Sequence, residues 1–411
     1  MVWTTVVIDL IGFGIAIPVL NPFARQLGST PLMIGFIGAA FSLAQFVVAP
    51  MLGRLSDRIG RKPVLILSLA GTAIGSLATG LATAPWMLMA ARAFDGASGA
   101  TLGVAQAAVA DIAPPRRRAA LLGMLGAAFG IGFTIGPAIS GVAVLLGGRR
   151  APFFVAAAMA AANGVATVVR FPNTKTLHDR LAIETSDRSA DRSAAIGSLE
   201  EAFAHADGIS PGGEVKLAKT WRENGLPVLI VIGGITTLAF TMFEQMFALY
   251  GEDRIGFTKS SAPWAFVIIG IVVSVVQGGL LRPAIAAVGE KKLLLGGTVA
   301  VGLSLALVSV TRSWLVLVPV LVLLSLGQGF ASPTMQATMT NAISADVRGE
   351  LLGVVARWGS LARVAGPILG GFLFQKVGKG SPFLVGAALY AVSVLVLSGR
   401  SRDKEDDPQG L

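Results

Sequence analysis

Six charged side chains stand inside segments that are otherwise almost wholly apolar. They are Asp9, Arg92, Asp95, Glu244, Arg357 and Arg363. Because an ionised group is costly to hold in hydrocarbon, residues of this kind are candidates for proton or ion chemistry. A neighbouring arginine favours the ionised form of a carboxyl group, and removal from water favours the protonated form. If these two influences change between conformations, such a site can take up a proton in one and release it in the other.

Asp9 and Asp95 are the first candidates for protonation, with Arg92 as the neighbouring cation. In the alternative interpretation, Arg92 and Asp95 form a static pair that only offsets the burial of both charges. The three-and-four spacing of Arg92, Asp95, Gly99, Gly103 and Gln106 predicts one helix face, which we expect to line an aqueous cavity. Glu244 is either a further proton site or an interfacial residue whose carboxylate reaches water.

Arg357 and Arg363 raise the alternative of an anionic substrate, since arginine favours carboxylate and phosphate groups. Six residues apart, they differ by about 120° around a helix, so both cannot face one cavity squarely. Aromatic residues at Phe13, Phe240, Phe243, Phe247 and Trp358 supply either a pocket wall or lipid-facing surface. The residues predicted to line a substrate cavity are Phe13, Gln106, Gln336, Arg357 and Arg363.

The elements that must position these residues are long apolar segments. The chain of 411 residues is 54% hydrophobic and 14% charged, and it contains 51 glycines, which is typical of an integral membrane protein. A membrane-crossing helix needs about 20 mostly apolar residues, and helices satisfy their own backbone hydrogen bonds in lipid. We therefore predict an all-α protein with twelve transmembrane helices at roughly 3–24, 31–52, 63–82, 85–110, 119–147, 151–170, 225–249, 261–283, 291–311, 314–342, 349–375 and 381–399.

The loops predict the orientation of these helices. The decapeptide 53–62 is dense in Arg and Lys, and short loops of this kind stay on the cytoplasmic side. With a net charge of +10, the chain carries its basic residues in loops between apolar segments, so we interpret them as a topology signal rather than as a nucleic-acid surface. Both termini are expected in the cytoplasm, and no cleavable signal peptide is recognised before the first segment.

A polar stretch divides the chain into two halves. We predict an N-terminal six-helix bundle at 1–171, a flexible cytoplasmic linker at 172–222, a C-terminal six-helix bundle at 223–400 and a cytoplasmic tail at 401–411. Both histidines, His178 and His205, fall in the linker.

The two halves repeat in sequence, so two pseudo-symmetric bundles are expected. A shift of 230 residues aligns Gln106 with Gln336 and Gly136-Pro137 with Gly366-Pro367, and Gly60 matches Gly289 at a nearby shift. Internal repeats in a membrane protein indicate a transporter with its substrate site near the midplane.

Several motifs resemble the major facilitator superfamily, and more closely its twelve-span drug:proton antiporters of the tetracycline-efflux type. Residues 53–62 resemble the signature of the loop between the second and third helices, and the glycines from Gly123 to Gly141 resemble the fifth-helix signature of exporters. Arg92-x2-Asp95-Gly96 is similar to the fourth-helix signature, with Asp95 where these pumps more often carry Gln. Asp9 and residues 251–254 also match family positions. The resemblance implies the major facilitator fold.

The resemblance also assigns roles to two groups of residues. The predicted gating loop comprises Gly53, Asp57, Arg58, Gly60 and Arg61, and in the family its Asp faces a helix of the other half and closes the cytoplasmic side. The expected acceptor is the start of the eleventh helix, near 349–352; in the alternative, the loop only sets topology. The predicted helix-packing residues, about which the halves would rock, are Gly123, Gly132, Gly136, Pro137, Gly141, Gly366 and Pro367.

The function expected from these patterns is secondary active transport, with proton-coupled efflux of a small amphipathic or drug-like compound by alternating access. Uptake or exchange of an organic anion is the alternative, and a non-transporting receptor is less favoured. An enzyme is disfavoured because the chain has no Cys, both His fall in the linker and no His/Asp/Glu metal cluster is recognised. ATP is not expected as the energy source, because the sequence has no Gly-x4-Gly-Lys-[Ser/Thr] phosphate loop. We expect no cofactor, metal or nucleic acid; the partners are a small-molecule substrate, protons and lipid, and the protein is expected to be a monomer in a bacterial cytoplasmic membrane.

Overall fold

The computed structural model describes residues 2–112, 115–170, 225–342 and 348–403. The predicted linker 172–222 and most of the predicted tail lie outside the described residues. Within these ranges the regular secondary structure is entirely helical, as predicted.

Seven helices form the N-terminal half. Their bounds are α1 Val2–Gln26, α2 Pro31–Ile59, α3 Arg61–Leu81, α4 Pro85–Ser98, α5 Thr101–Ile112, α6 Pro115–Gly147 and α7 Ala151–Arg170. The fourth predicted segment is therefore two helices, α4 and α5, rather than one. Thr30 caps α2 by accepting a hydrogen bond from the Met33 N–H at 3.3 Å, and Pro31 occupies the first helical turn, where no N–H is needed.

The C-terminal half follows the same plan with two π-helical turns. Its helices are α8 Leu226–Tyr250, α9 Ser261–Val275, α10 Leu281–Val288, α11 Glu290–Val310, α12 Trp314–Asn341, α13 Arg348–Lys376 and α14 Ser381–Asp403. The π-helical turn Gly251–Ile255 continues α8, and the turn Val276–Leu280 joins α9 to α10. The eighth predicted segment is thus α9, the π turn and α10 together.

Ten helical stretches in the described residues are long and apolar enough to cross a membrane. The other two predicted segments fall outside that set for visible reasons. One is the broken pair α4 and α5, and the other is α13, which carries Arg357 and Arg363. Each of the twelve predicted segments therefore has its helical counterpart.

The two halves repeat in structure as well as in sequence. The α2–α3 turn bends at Gly60 with φ +100° and ψ 160°, and the α10–α11 turn bends at Gly289 with φ +85° and ψ 150°. These backbone angles are open to glycine and strained for other residues, which explains the glycine at both positions. We call the end with these two turns the inner end, and the end with residues 251–255 the outer end.

Smaller contacts of α1 with α8 and α9 also cross the interface, but most of the contact between the halves is made by two helix pairs, α2 with α13 and α6 with α9. The repeat relates these pairs to each other, so the interface has approximate twofold symmetry. The largest cluster of buried apolar side chains also crosses it, since Phe23 and Ile34 of the first half share that cluster with Phe243 and Phe247 of the second.

Candidate functional site

Arg92 and Asp95 form a buried ion pair inside the N-terminal half. Arg92 Nη1 lies 2.5 Å from Asp95 Oδ2, and the two side chains are 9% and 8% exposed. The guanidinium also stacks on the Phe41 ring, 4.3 Å from its centroid. A methyl group built on Gly75 of α3 would lie 2.7 Å from Asp95 Cβ, so this carboxylate is packed between helices. The pair thus sits in the interior of the half, not on the cavity surface expected from the sequence.

Asp9 lies on α1, close enough to Asp95 for the two charges to interact. Asp9 Oδ1 is buried and makes no hydrogen bond of normal geometry, and the Thr101 hydroxyl, on a side chain that is 1% exposed, lies close to the Asp9 carboxyl group. One turn after Asp9, Phe13 contacts Phe41 and Phe133 with ring centroids 5.7 and 6.3 Å apart. Asp9 therefore belongs to a buried polar group bordered by aromatic rings.

The expected single face of the fourth helix is interrupted. Gly99 ends α4 with φ −74° and ψ 53°, and its N–H bonds to the Gly96 carbonyl. The Gly99 carbonyl accepts a hydrogen bond from Gln45 Nε2 at 2.8 Å, which replaces the helical bond that is lost. Gln106 then lies on the separate helix α5 and is exposed, as is its repeat partner Gln336 on α12. A helical period applied across residues 92–106 was wrong because it assumed an unbroken backbone.

Glu244 of α8 and Arg363 of α13 are within electrostatic reach of each other. The two helices meet where Thr241 approaches Gly366, so the pair lies at a contact between facing helices of one half. Arg363 and Arg357 are both exposed on α13. The predicted roles of Glu244 in proton coupling and of Arg357 and Arg363 in a substrate cavity stay predictions.

The aromatic residues separate into two groups. Phe243 and Phe247 are buried in the core of the C-terminal half, where they contact Phe383 and Phe266. They support the fold and do not form a pocket wall. Phe13 is partly buried, and Trp358 is 49% exposed. Their sequence contexts are alike, and only the packing of the helices distinguishes the two groups.

The predicted loop 53–62 is helical except at Gly60, where α2 ends and α3 begins, and Arg61 within it pairs with acids of its own half. Arg61 pairs with Asp57 and also with Asp111 at the end of α5, with Arg61 Nε 2.8 Å from Asp111 Oδ2. Arg61 Nη1 further donates to the Ser56 hydroxyl at 2.6 Å. The Asp57 side chain is 61% exposed, and its ion pair in the described residues is with Arg61. The sequence indicated the charges but not that Asp111 would join them.

The glycines of α6 and α13 pack mainly within their own halves. Methyl groups built on Gly132 and Gly136 would lie 2.7 Å from the Leu10 and Ile11 carbonyl oxygens of α1. Gly366 and Gly370 press likewise on α8. Residues four apart lie on one side of a helix, and here that side packs on another helix of the same half. These glycines therefore do not form the surface about which the halves were expected to rock.

Other residues of the same motifs do reach across the interface. A methyl group on Gly141 would lie 3.4 Å from Pro263 Cβ of α9, and Pro367 abuts Gly35 of α2. Pro137 lies inside α6, as does Gly123, whose surroundings lie outside the described part of the chain.

A group of charges at the outer end was missed as a cluster by sequence reasoning. Arg25 and Arg149 come from the N-terminal half, and Glu252, Asp253 and Lys379 come from the C-terminal half. The arginines were interpreted only as topology residues, and 251–254 only as a family resemblance. The adjacent acids Glu252 and Asp253, directly after a long apolar helix, were the available signal; their partners are more than 100 residues away in sequence.

The family model of the Major Facilitator Superfamily matches residues 2–356 and 281–410. The tetracycline resistance protein of class E from Escherichia coli is 30% identical over 404 residues, covering 97% of this chain and 93% of that protein. The class G protein from Vibrio anguillarum is 31% identical over 406 residues, covering 95% and 94%. The crystal structure of the human organic anion transporter MFSD10 has a TM-score of 0.66 at 23% identity, covering 96% and 97%.

Helix count, paired halves and family match agree with one another. The family match and these relatives point to a transporter and not to an enzyme. The chain belongs to the major facilitator superfamily and is a multi-pass membrane transporter of the same fold.

Proposed function

We propose that this transporter exports a small amphipathic or drug-like compound in exchange for protons by alternating access. The observation that carries the proposal is the buried Asp9 carboxylate, which has an oxygen without a hydrogen-bond partner beside the Arg92–Asp95 pair. A buried carboxylate that lacks a full set of partners is most easily accommodated when it can bind a proton. Similarity to tetracycline resistance proteins supports export as the direction.

Asp9 is the proposed site of proton exchange, and Arg92 and Asp95 are the proposed pair that sets its electrostatic environment. Asp95 already has a close cationic partner in Arg92, whereas no ion pair among the described residues involves Asp9. This difference makes Asp9 the better candidate for a reversible proton, and it makes the pair a fixed charge arrangement nearby. Glu244, opposed by Arg363, is proposed as a second titrating site in the other half.

The experiment is transport in proteoliposomes with an imposed proton gradient. In Asp9→Asn we expect gradient-driven transport to fall to the rate without a gradient, while substrate exchange at equal pH continues. Glu290→Gln, an acid at the start of α11 on the inner surface, is the control and should keep its gradient response. Gradient-driven transport at the unmodified rate in Asp9→Asn would rule out the proposed proton site.

The proposed inner gate depends on the register between α2 and α13. Gly35 lies against Pro367, and Pro31 lies against Gly371, so the helices are antiparallel. If the inner ends met in the same register, Gly53 would lie opposite Gly349 and Asp57 just beyond the N-terminus of α13. The N-terminal end of a helix favours a negative charge. Closure of the inner end would therefore give Asp57 a partner in the other half.

An organic anion is the second candidate substrate class, favoured by the two exposed arginines of α13. The human structure of the same fold is named as an organic anion transporter. Inhibition by a series of carboxylates and by their neutral amides would test this, with Arg363→Gln compared with Arg282→Gln at the inner surface. Selective inhibition by carboxylates that Arg363→Gln alone removes would favour the anion; equal inhibition by both series would exclude it.

The remaining assignments follow from alternating access. The halves 1–171 and 223–400 are the proposed moving bodies, joined by a cytoplasmic linker at 172–222. Both termini are proposed to lie on the cytoplasmic side of a bacterial inner membrane, because residues 53–62 are dense in Arg and Lys. A monomer suffices, since both bundles belong to one chain.

A further inference from the structure

We propose that Arg25, Arg149, Glu252 and Asp253 form an outer gate that holds the two halves together when the inner end is open, and that Glu252 is the residue that controls its opening. This inference rests on the proposed alternating access. It assigns a conformational role to residues that lie far from the proposed proton site.

The contacts cross the interface in several places. Arg25 donates to Asp253 from both Nη atoms, at 2.7 Å from Nη1 to Oδ1 and 3.2 Å from Nη2 to Oδ2. Arg149 bonds to Glu252, and Arg25 Nη1 lies 3.7 Å from Glu252 Oε2. The Glu252 and Asp253 side chains are only 15% and 17% exposed. Ion pairs that are shielded from water in this way interact more strongly than pairs on an open surface.

The location of the two acids explains why they need these partners. Glu252 and Asp253 directly follow α8, in the π-helical turn that ends it. The C-terminal end of a helix carries partial negative charge, so acids there are unfavourable unless cations lie close by. Most of the compensating cations belong to the other half of the molecule. The local electrostatics of α8 therefore favour the closed outer end.

The two acids differ in what remains when the halves separate. Asp253 keeps Lys379 of its own half, whose Nζ lies 2.9 Å from Asp253 Oδ2. Glu252 is paired with Arg149 and Arg25, and both belong to the opposite half. Opening therefore takes away the partners of Glu252 and leaves Asp253 with one. This asymmetry identifies Glu252 as the controlling residue.

A second, uncharged layer lies beneath the charges. Asn21 Nδ2 donates to the Gln245 carbonyl at 2.6 Å, and Gln245 Nε2 donates to Asn21 Oδ1 and to the Ile34 carbonyl, each at 3.0 Å. These bonds also join the two halves. Water can solvate these amide groups once they separate, so each such hydrogen bond contributes only about 0.5–1.5 kcal/mol to the closure.

The test measures the outer end directly and needs neither substrate nor a proton gradient. The chain has no cysteine, so spin labels can be placed at Thr83→Cys and Arg312→Cys, two exposed outer positions in opposite halves. Double electron–electron resonance should give a short distance as the main population in the unmodified background. Glu252→Gln and Arg149→Gln should raise the ratio of long to short distances on the order of tenfold, as expected when a shielded charge pair is lost.

Arg150→Gln is the matched control. Arg150 follows Arg149 in sequence, and Arg150→Gln removes the same charge. The Arg150 guanidinium, however, donates to Ala82 O at 3.1 Å and lies over the Phe23 ring, and both partners belong to its own half. Its distance distribution should match that of the unmodified chain. The exchange Arg149→Glu with Glu252→Arg should restore the short distance, and salt at about 1 M, where screening acts within ~3 Å, should lengthen it without any mutation.

Three results would overturn the proposal. The first is an unmodified chain in which the long distance between the labels is the main population. The others are a distance distribution of Glu252→Gln that equals that of Arg150→Gln, or a distribution that does not change with salt. The outer gate is measured by the distances in Glu252→Gln and Arg150→Gln, whereas proton coupling is measured by gradient-driven transport in Asp9→Asn. Failure of proton coupling and failure of the outer gate are therefore told apart.

Discussion

The contact between α2 and α13 is closed at the outer end of these helices and open at their inner end. At the outer end, a methyl group built on Gly35 would lie 3.1 Å from Ile368 Cα, whereas at the inner end one built on Gly53 would have no neighbour within 4 Å. Charges follow the same division. Arg25 pairs across the halves, and Arg61 pairs with acids of its own half. In the described conformation the contact between the halves is therefore closed at the outer end and open at the inner end.

This difference teaches that the charged groups at each end serve one conformation at a time. The acids of the outer end are partnered now, and Asp57 at the inner end is largely exposed. A transporter that alternates needs both closures to be comparable in free energy, since neither state can dominate completely. Substitutions that act on one end and spare the other are the direct means of testing this comparison.

The largest effect is expected from Asp57→Asn. Loss of the carboxylate removes the proposed closure of the inner end while leaving the described open form intact. Because about 1.4 kcal/mol changes an equilibrium tenfold, we expect transport to fall on the order of tenfold or more. Uptake into proteoliposomes measures this. Asp111→Asn, which removes the other acid bound to Arg61, is the control and should have a smaller effect; equal losses would assign Asp57 to loop structure alone.

A second comparison places the same substitution at the two ends of α2. Gly35→Ala should disturb the closed outer contact, because the nearest atoms are backbone atoms of Pro367 and Ile368 and cannot rotate away. Overpacking of this kind costs about 1–3 kcal/mol. Gly53→Ala should leave the described form unchanged. Thermal unfolding in detergent checks both variants, and a lower midpoint for Gly53→Ala than for Gly35→Ala would contradict the described asymmetry.

The repeat itself is tested by the glycines of the two inner turns. Gly60→Ala and Gly289→Ala should each destabilise the protein by about 1–3 kcal/mol, because both residues have positive φ that other residues adopt only with strain. Equal shifts of the thermal midpoint are expected from the symmetry. Gly103→Ala, at an open helical position, should have little effect. A marked difference between the two turns would show that their matching geometry is not matched in energy.

The smallest effect is expected at the contact between α6 and α9, the second main helix pair between the halves. The Thr134 and Ser274 hydroxyls lie 3.1 Å apart between α6 and α9. Thr134 donates to Gly130 O at 2.8 Å, so Ser274 is the donor between the two hydroxyls. Since hydrogen bonds between membrane helices contribute about 0.6 kcal/mol, Ser274→Ala should change the spin-label distance ratio no more than about threefold. A larger change in Ser274→Ala than in Glu252→Gln would show that the Thr134–Ser274 hydrogen bond, and not the charged residues, controls opening.

Much of the fold could be predicted from sequence, because lipid enforces simple rules. Long apolar segments must be helices, and basic loops divide them, so the helical regions around residues 31–52 or 381–399 needed no tertiary information. Candidate acids were found for the same reason, since Asp9 is conspicuous in an apolar segment. The break at Gly99 was not predicted, because Gly inside a helical pattern is common in membrane proteins and the stabilising bond comes from the distant Gln45.

The sequence by itself determined the class of protein, its twelve spans, its internal repeat and the residues that carry charge into the membrane. Tertiary structure alone decided which distant charges meet: Arg61 with Asp111 inside one half, and Arg25 with Asp253 and Arg149 with Glu252 across the two halves. The physical reason is range. Hydropathy and turn chemistry act over a few residues, whereas pairing energies depend on distances between side chains that are up to hundreds of residues apart in the chain.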